Sequence, residues 1–122
     1  MNGPHDPRPE VVEEGGLARL CGSRCTACGH VLAFRAPRCP VCRGALEEAR
    51  FGPEGKVWSA TVVRVPVPGR EPPYGLAYVD LDAGPRVLAH YAPPGDRALR
   101  VGARVRLRGS TPQGDPAVEE VA

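Results

Sequence analysis

Between Tyr74 and Asp82 the chain reads YGLAYVDLD, with Ala77, Val79 and Leu81 facing one way and Tyr78, Asp80 and Asp82 the other. A period of two is the signature of a half-buried strand. Read the same way, the rest of the chain from residue 51 onward supplies four more strands. Lys56 to Val65 (KVWSATVVRV) is rich in β-branched residues and poor in polar ones, as a largely buried strand should be, and its apolar neighbours make Trp58 a core candidate. Pro66 and Pro68 end that strand, because proline cannot donate to a ladder. Gly84-Pro85 makes a tight connection, so Arg86 to Tyr91 should return as a hairpin partner. Leu99 to Gly102 reads as a turn-like element. Arg104 to Arg108 (RVRLR) alternates strictly, with Val105 and Leu107 inward, and Ala117 to Val121 supplies the closing strand. Five short strands in roughly 70 residues fit a five-stranded OB-type barrel, with a small sandwich as the competing architecture.

Upstream, the alternation is weaker. Residues 1–10 hold Pro4, Pro7 and Pro9 and read as a mobile tail; Val11 to Glu14 reads as the start of a short helix stopped by Gly15-Gly16. Residues 17–50 hold all five cysteines. The chain therefore divides into residues 1–16, a flexible tail or short helix; 17–50, a cysteine-bearing ribbon; and 51–122, the barrel. The expected fold is mainly β, with a rubredoxin-like zinc ribbon ahead of the OB-fold barrel.

Composition changes this picture little. Gly and Pro number 15 each in 122 residues, a content that borders on that of disordered chains. With 42% hydrophobic residues and regular strand patterns, the excess reads as tight turns. Charge is more informative by location. Residues 1–16 carry one Arg against four acids, residues 17–50 six Arg against two Glu, and residues 51–122 nine bases against eight acids. The basic excess thus sits on the cysteine segment. No stretch approaches the roughly 18 apolar residues of a membrane span, and the first residues, MNGPHDPRPE, lack the regions of a secretory signal. A cytoplasmic protein is expected, where paired cysteines are metal ligands more often than disulfides.

The pairs are Cys25-Thr-Ala-Cys28 and Cys39-Pro-Val-Cys42, separated by ten residues. Each spacing lets two sulfurs of a tight turn face one ion, and two such turns make a tetrahedral four-thiolate site. Gly29 and Gly44 follow the pairs, where glycine permits positive φ and leaves backbone N–H groups free to bond sulfur. All four ligands come from protein, so the site is closed to water and structural. One zinc ion is the expected occupant; iron is the chemical alternative, and free or disulfide-linked cysteines the metal-free one. Cys21 stands outside the pairs and reads as a small buried hydrophobe, since no base is positioned to activate it. His30 reads as exposed. His90 reads as a barrel-wall residue that could also line a ligand channel.

No Gly-rich phosphate loop, Ser-His-Asp set or paired catalytic carboxylates stand out, so a stand-alone enzyme is not expected. A ribbon joined to an OB barrel also suits single-stranded nucleic acid, which needs stacking aromatics and a basic groove. Asp80 and Asp82 beside Tyr78 would repel phosphates. The stripe Arg104, Arg106, Arg108 reads as a solvated outer face, or else as a site for an anionic ligand or acidic partner.

Three segments carry a resemblance: GGLARLCGSRCTACGHVLAFRAPRCPVCRG; GPEGKVWSATVVRVPVPGREPPYGLAYVDLDAGPRVLAHY, with Gly55 to Val63 as its opening; and LRVGARVRLR. Together, over about residues 16–110, they resemble the zinc-ribbon/OB-fold acyl-CoA-associated proteins. Two features depart from that pattern: only about 16 residues precede the ribbon where the family often has a helical region, and PAVEEVA stands in place of a phenylalanine-bearing last strand. The resemblance implies a non-catalytic subunit of a thiolase-fold enzyme (a thiolase, an acyltransferase or a steroid side-chain retro-aldolase), packed around that enzyme's dimer as a heterotetramer. In that setting the chain would stabilise its partner and help wall the acyl or CoA channel, touching acyl-CoA only indirectly. A rigid ribbon carrying Arg24, Arg35, Arg38 and Arg43 suits docking, with Val31, Leu32, Phe34 and Val41 either at the contact or covering the metal. The proline-rich loop from Pro66 to Pro73, with Arg70, and the nearby Tyr74 and His90 are further candidate contacts.

Overall fold

The computed structural model describes residues 8–121. Pro4 and Pro7 of the expected tail lie outside these residues. Two β-sheet systems make up most of the described chain. The first holds β1 (Glu10–Glu14), β2 (Leu17–Cys25), β3 (Val31–Leu32) and β4 (Leu46–Phe51). Strand β2 is its centre, with β4 along one edge and β1 and β3 sharing the other. The second is a closed barrel of β5 (Glu54–Val63), β6 (Tyr74–Leu81), β7 (Arg86–Tyr91), β8 (Arg104–Ser110) and β9 (Pro116–Glu120). Its order is β5-β6-β7-β9-β8, and β8 closes on β5 through Glu54–Lys56 against Arg104–Arg106. The β7–β9 contact is the parallel one, at His90 and Ala117.

The short helix expected at Val11–Glu14 is instead strand β1. Gly15 and Gly16 both take positive φ, 60° and 80°. Two consecutive left-handed residues make a primed two-residue turn whose twist matches paired strands. The turn sets Glu14 opposite Leu17, and β1 then zips onto β2 as far as Glu10 and Cys21. A four-residue helix has nothing comparable to offset its nucleation cost.

The five barrel strands fall where the alternation put them, within about two residues. Val57, Val79, Val87, Ala89, Val105, Leu107 and Val118 point inward and are at most 2% exposed. The same core continues into the first sheet through Leu20, Ala49 and Phe51, so ribbon and barrel share one apolar cluster. Trp58 departs from expectation. It is 50% exposed, on the outside of the barrel. Alternation from the buried Gly55 and Val57 points Trp58 outward although its neighbours are apolar, and the bulge between Val57 and Ser59 keeps Ser59 on the outer face beside it.

Candidate metal centre and loop cleft

The ladder that joins β2 to β4 sets the cysteine turns close together, Cys25 lying opposite Leu46 at its end. Cys25 N–H donates to the His30 carbonyl at 2.8 Å and Cys39 N–H to the Gly44 carbonyl at 3.0 Å, which closes each knuckle. The Sγ atoms of Cys25, Cys28, Cys39 and Cys42 all lie within 4.8 Å of one another. Cys25 and Cys42 approach to 3.4 Å, and Cys28 and Cys39 to 3.7 Å. Sulfurs bound tetrahedrally at about 2.3 Å from one zinc ion sit about 3.8 Å apart, so the set fits one such ion.

Backbone donors surround the sulfurs. Ala27 and Cys28 N–H reach Cys25 Sγ, Val41 N–H reaches Cys39 Sγ, and Gly44 N–H reaches Cys42 Sγ, each at 3.4 Å. The two expected glycine roles separate here. Gly29 does take positive φ, at 79°, but in the second knuckle that conformation falls on Arg43, at 65°. Gly44 is needed for space: a Cβ there would stand 3.1 Å from Cys42 Sγ and 3.3 Å from Cys25 Sγ. The N–H groups of Cys28 and Ala27 hold the Cys25 thiol down to about 6, against the opposing effect of burial. The Cys42 N–H likewise lowers Cys39. Cys28, although the His30 N–H acts to lower it, is pushed up to about 12 by burial and the neighbouring sulfurs. Four thiols this close cannot all ionise without a cation between them, and the donor set is that of a soft divalent metal.

Cys21 is buried, as expected, yet its surroundings are not those of a hydrophobe. Its Sγ accepts from Arg35 Nη2 at 3.0 Å and from Arg50 Nη1 at 3.1 Å, with Glu48 Oε1 at 3.6 Å. Burial still prevails over both guanidinium groups and raises the thiol above its ordinary value. Arg35 also pairs with Glu48 at 2.7 Å, so its charge is matched within the chain. Arg24 lies over the Phe51 ring, 5.5 Å from its centroid. Arg38 donates to the Arg43 backbone carbonyl at 3.4 Å, which holds its side chain against the second knuckle. Phe34 and Val41 are 48% and 66% exposed, whereas Leu32 is buried and Val31 packs on the core. His30 is exposed.

Arg70, Tyr74 and His90 come together. They line an open cleft of about 430 Å³ between the β5–β6 loop, the end of β7 and the β8–β9 turn. His90 stacks on Tyr74, with centroids 5.8 Å apart. Asp115 organises this end of the barrel. It binds Arg70 Nη2 at 2.5 Å and lies 3.6 Å from His90 Nε2 and 3.7 Å from Arg8 Nη1. The proline-rich loop is thus tied to the β8–β9 turn. Burial, then Arg70, keep the His90 imidazole below its usual value and so neutral near pH 7. Asp115 was not a sequence candidate; its signal was the turn Thr111-Pro-Gln-Gly-Asp115, in which Asp115 N–H donates to Thr111 Oγ1 at 3.1 Å. Of the Arg stripe on β8, Arg104 pairs with Asp82 at 2.5 Å and Arg106 with Glu119 at 2.9 Å. Arg108 lines the cleft.

Residues 48–110, half of the chain, match the model of the C-terminal OB-fold domain of ChsH2. The chain belongs to the ChsH2 OB-fold family. Relatives extend the likeness into the ribbon. A DUF35 domain-containing scaffold protein of Pyrococcus furiosus is 39% identical over 92 residues, 73% of this chain and 67% of that protein. The Methanothermobacter thermautotrophicus scaffold protein of the same description is 33% identical over 72% of this chain and 69% of its own length. The benzoylsuccinyl-CoA thiolase subunit BbsA of Geobacter metallireducens is 38% identical over 66% of this chain and 55% of its own. Among solved structures, a chain of the Ltp2-ChsH2(DUF35) aldolase superposes with a TM-score of 0.70 at 27% identity, covering 85% of this chain and 86% of its own. No helix among the described residues is long and apolar enough to cross a membrane.

Proposed function

We propose that this chain is a non-catalytic accessory subunit of a thiolase-fold acyl-CoA enzyme, a thiolase, acyltransferase or aldolase, and that one structural zinc ion holds its ribbon. The observation that carries the reading is the match to a chain of the Ltp2-ChsH2(DUF35) aldolase over 85% of this chain, a span that reaches into both ribbon and barrel. The site chemistry is consistent with it. The four paired thiols form a closed set with no coordination position left for substrate. Cys21 is buried with its proton retained, and His90 is held between Tyr74 and Asp115. Residues 17–50 and 51–122 act as ribbon and barrel of one cytoplasmic subunit, two copies of which embrace the partner's dimer and help wall its acyl or CoA channel. Candidate contacts are the cations Arg24, Arg38 and Arg43 with Phe34 on the ribbon, and Arg70, Tyr74 and His90 at the cleft.

The test is co-expression with a thiolase-fold subunit of the same organism, followed by size-exclusion chromatography with light scattering. A heterotetramer that contains one zinc per chain by elemental analysis is expected. Elution of this chain alone, beside a folded and active thiolase-fold dimer, would overturn the reading. Visible sulfur-to-iron absorption would replace zinc by iron and leave the assembly claim standing.

A further inference from the structure

Trp58 does not stand alone on the outer face of the barrel. In register, Ser59 lies opposite Tyr78 and Tyr78 opposite Leu88, so Trp58, Tyr78 and Leu88 form a row across three adjacent strands of the barrel's outer face. They are 50%, 45% and 43% exposed. Trp58 meets Tyr78 edge-on with centroids 6.1 Å apart. The Arg86 guanidinium lies 3.9 Å from the centre of the indole, and the same group pairs with Asp80 at 2.6 Å. Lys56 faces Asp80 across the ladder, and Arg104 pairs with Asp82 and Glu54, so the three cations and three acids beside the row cancel within the chain. The first sheet meets the barrel at β8, two strands round from Tyr78, and leaves the row open.

We propose that Trp58, Tyr78 and Leu88, with Arg86 laid on the indole, are the centre of the surface on which the thiolase-fold partner docks, and that the partner meets it with an uncharged apolar patch. This rests on the accessory-subunit reading above. Trp, Tyr and Arg are the residue types that dominate interface energetics, and they do so when clustered and desolvated. Charge decides the partner's chemistry. A neutralised face gains nothing from an acidic surface or a phosphate chain. Area decides against a second copy of this chain. Three side chains about half exposed offer roughly 300 Å². Set against itself in a two-fold dimer, the row would bury about 600 Å² in total, below the roughly 1,200 Å² at which stable interfaces begin. Such a dimer would also bring the same charged groups face to face across the axis. A larger partner can wrap over the flanks at Lys56 and Leu76 and reach that size.

The experiment measures binding of the full chain, loaded with metal, to the thiolase-fold subunit by titration calorimetry. Trp58→Ala and Leu88→Glu should each weaken binding about 30-fold or more. Arg106→Ala, on β8 outside the row and paired with Glu119, should change it less than about threefold. Unchanged melting temperature and metal content show that the variants are folded. If the wild type binds and both row variants bind within about threefold of it, the docking face is wrong while the accessory reading stands. If the wild type binds no thiolase-fold subunit, the accessory reading itself has failed. Self-association of the wild type that Leu88→Glu abolishes, or oligothymidylate binding that Trp58→Ala abolishes, would each assign the row to a different occupant and overturn the proposal.

Discussion

Tyr91 is 4% exposed and satisfies two backbone groups at once: its hydroxyl donates to the Thr61 carbonyl at 2.9 Å and accepts from Leu99 N–H at 3.3 Å. The ring belongs to the barrel core, while the hydroxyl ties β5 to the segment before β8. Tyr91→Phe keeps the apolar contacts and leaves a buried N–H unpaired. We predict a loss of about 1–2 kcal/mol, seen as a lower denaturant midpoint with an unchanged slope. At the metal site, Cys25→Ser or Cys39→Ser should remove metal binding, measured by elemental analysis, because three thiolates cannot complete a closed tetrahedral set. Among single residues, the clustering of the four paired cysteines was legible in the sequence, and the exposure of Trp58 was not. The apolar run KVWSATVVRV reads as covered on both faces, and only the barrel shows that its outer face at Trp58 is uncovered.

Elements differ in what holds them. The β1–β2 hairpin depends on its two left-handed glycines. Gly16→Ala should cost about 1 kcal/mol and speed amide exchange in β1 before the barrel is affected. The β5–β6 loop is held from outside, through Arg70 to Asp115. Burial acts to raise the Asp115 carboxyl, but Arg70, His90 and Arg8 outweigh it and keep it below the ordinary carboxylate value. A depressed carboxyl stabilises the fold above its unfolded pKa and loses that contribution as pH falls through the folded value. Asp115→Asn should therefore cost about 1–3 kcal/mol at pH 7, and the gap to wild type should close below about pH 4. A pH series of thermal melts measures it; a gap independent of pH would contradict the ion-pair account.

For the molecule as a whole, ribbon and barrel share one core, since Leu20, Ala49 and Phe51 pack with Leu81, Val105 and Leu107. A metal held by the four cysteines would then support more than the residues that ligate it. Chelation should lower the melting temperature of the barrel as well as of the ribbon, by several degrees for each kcal/mol lost. Two-wavelength melting with and without chelator checks this. A barrel transition that does not move would mean that the two parts are energetically separate.

The sequence by itself picked out the four clustered cysteines and the five barrel strands, because two-residue cysteine spacing and period-two alternation are local rules that any such segment obeys. It also pointed to an accessory role, through motifs spread along most of the chain. Only the tertiary structure decided that Val11–Glu14 is a strand, since its partner β2 lies across a turn whose handedness is set by backbone conformation. Only the structure showed that Arg35 and Arg104 are already paired, because their acids lie 13 and 22 residues away along the chain. And only the closed barrel could place Trp58, Tyr78 and Leu88, three residues from three strands, in one exposed row.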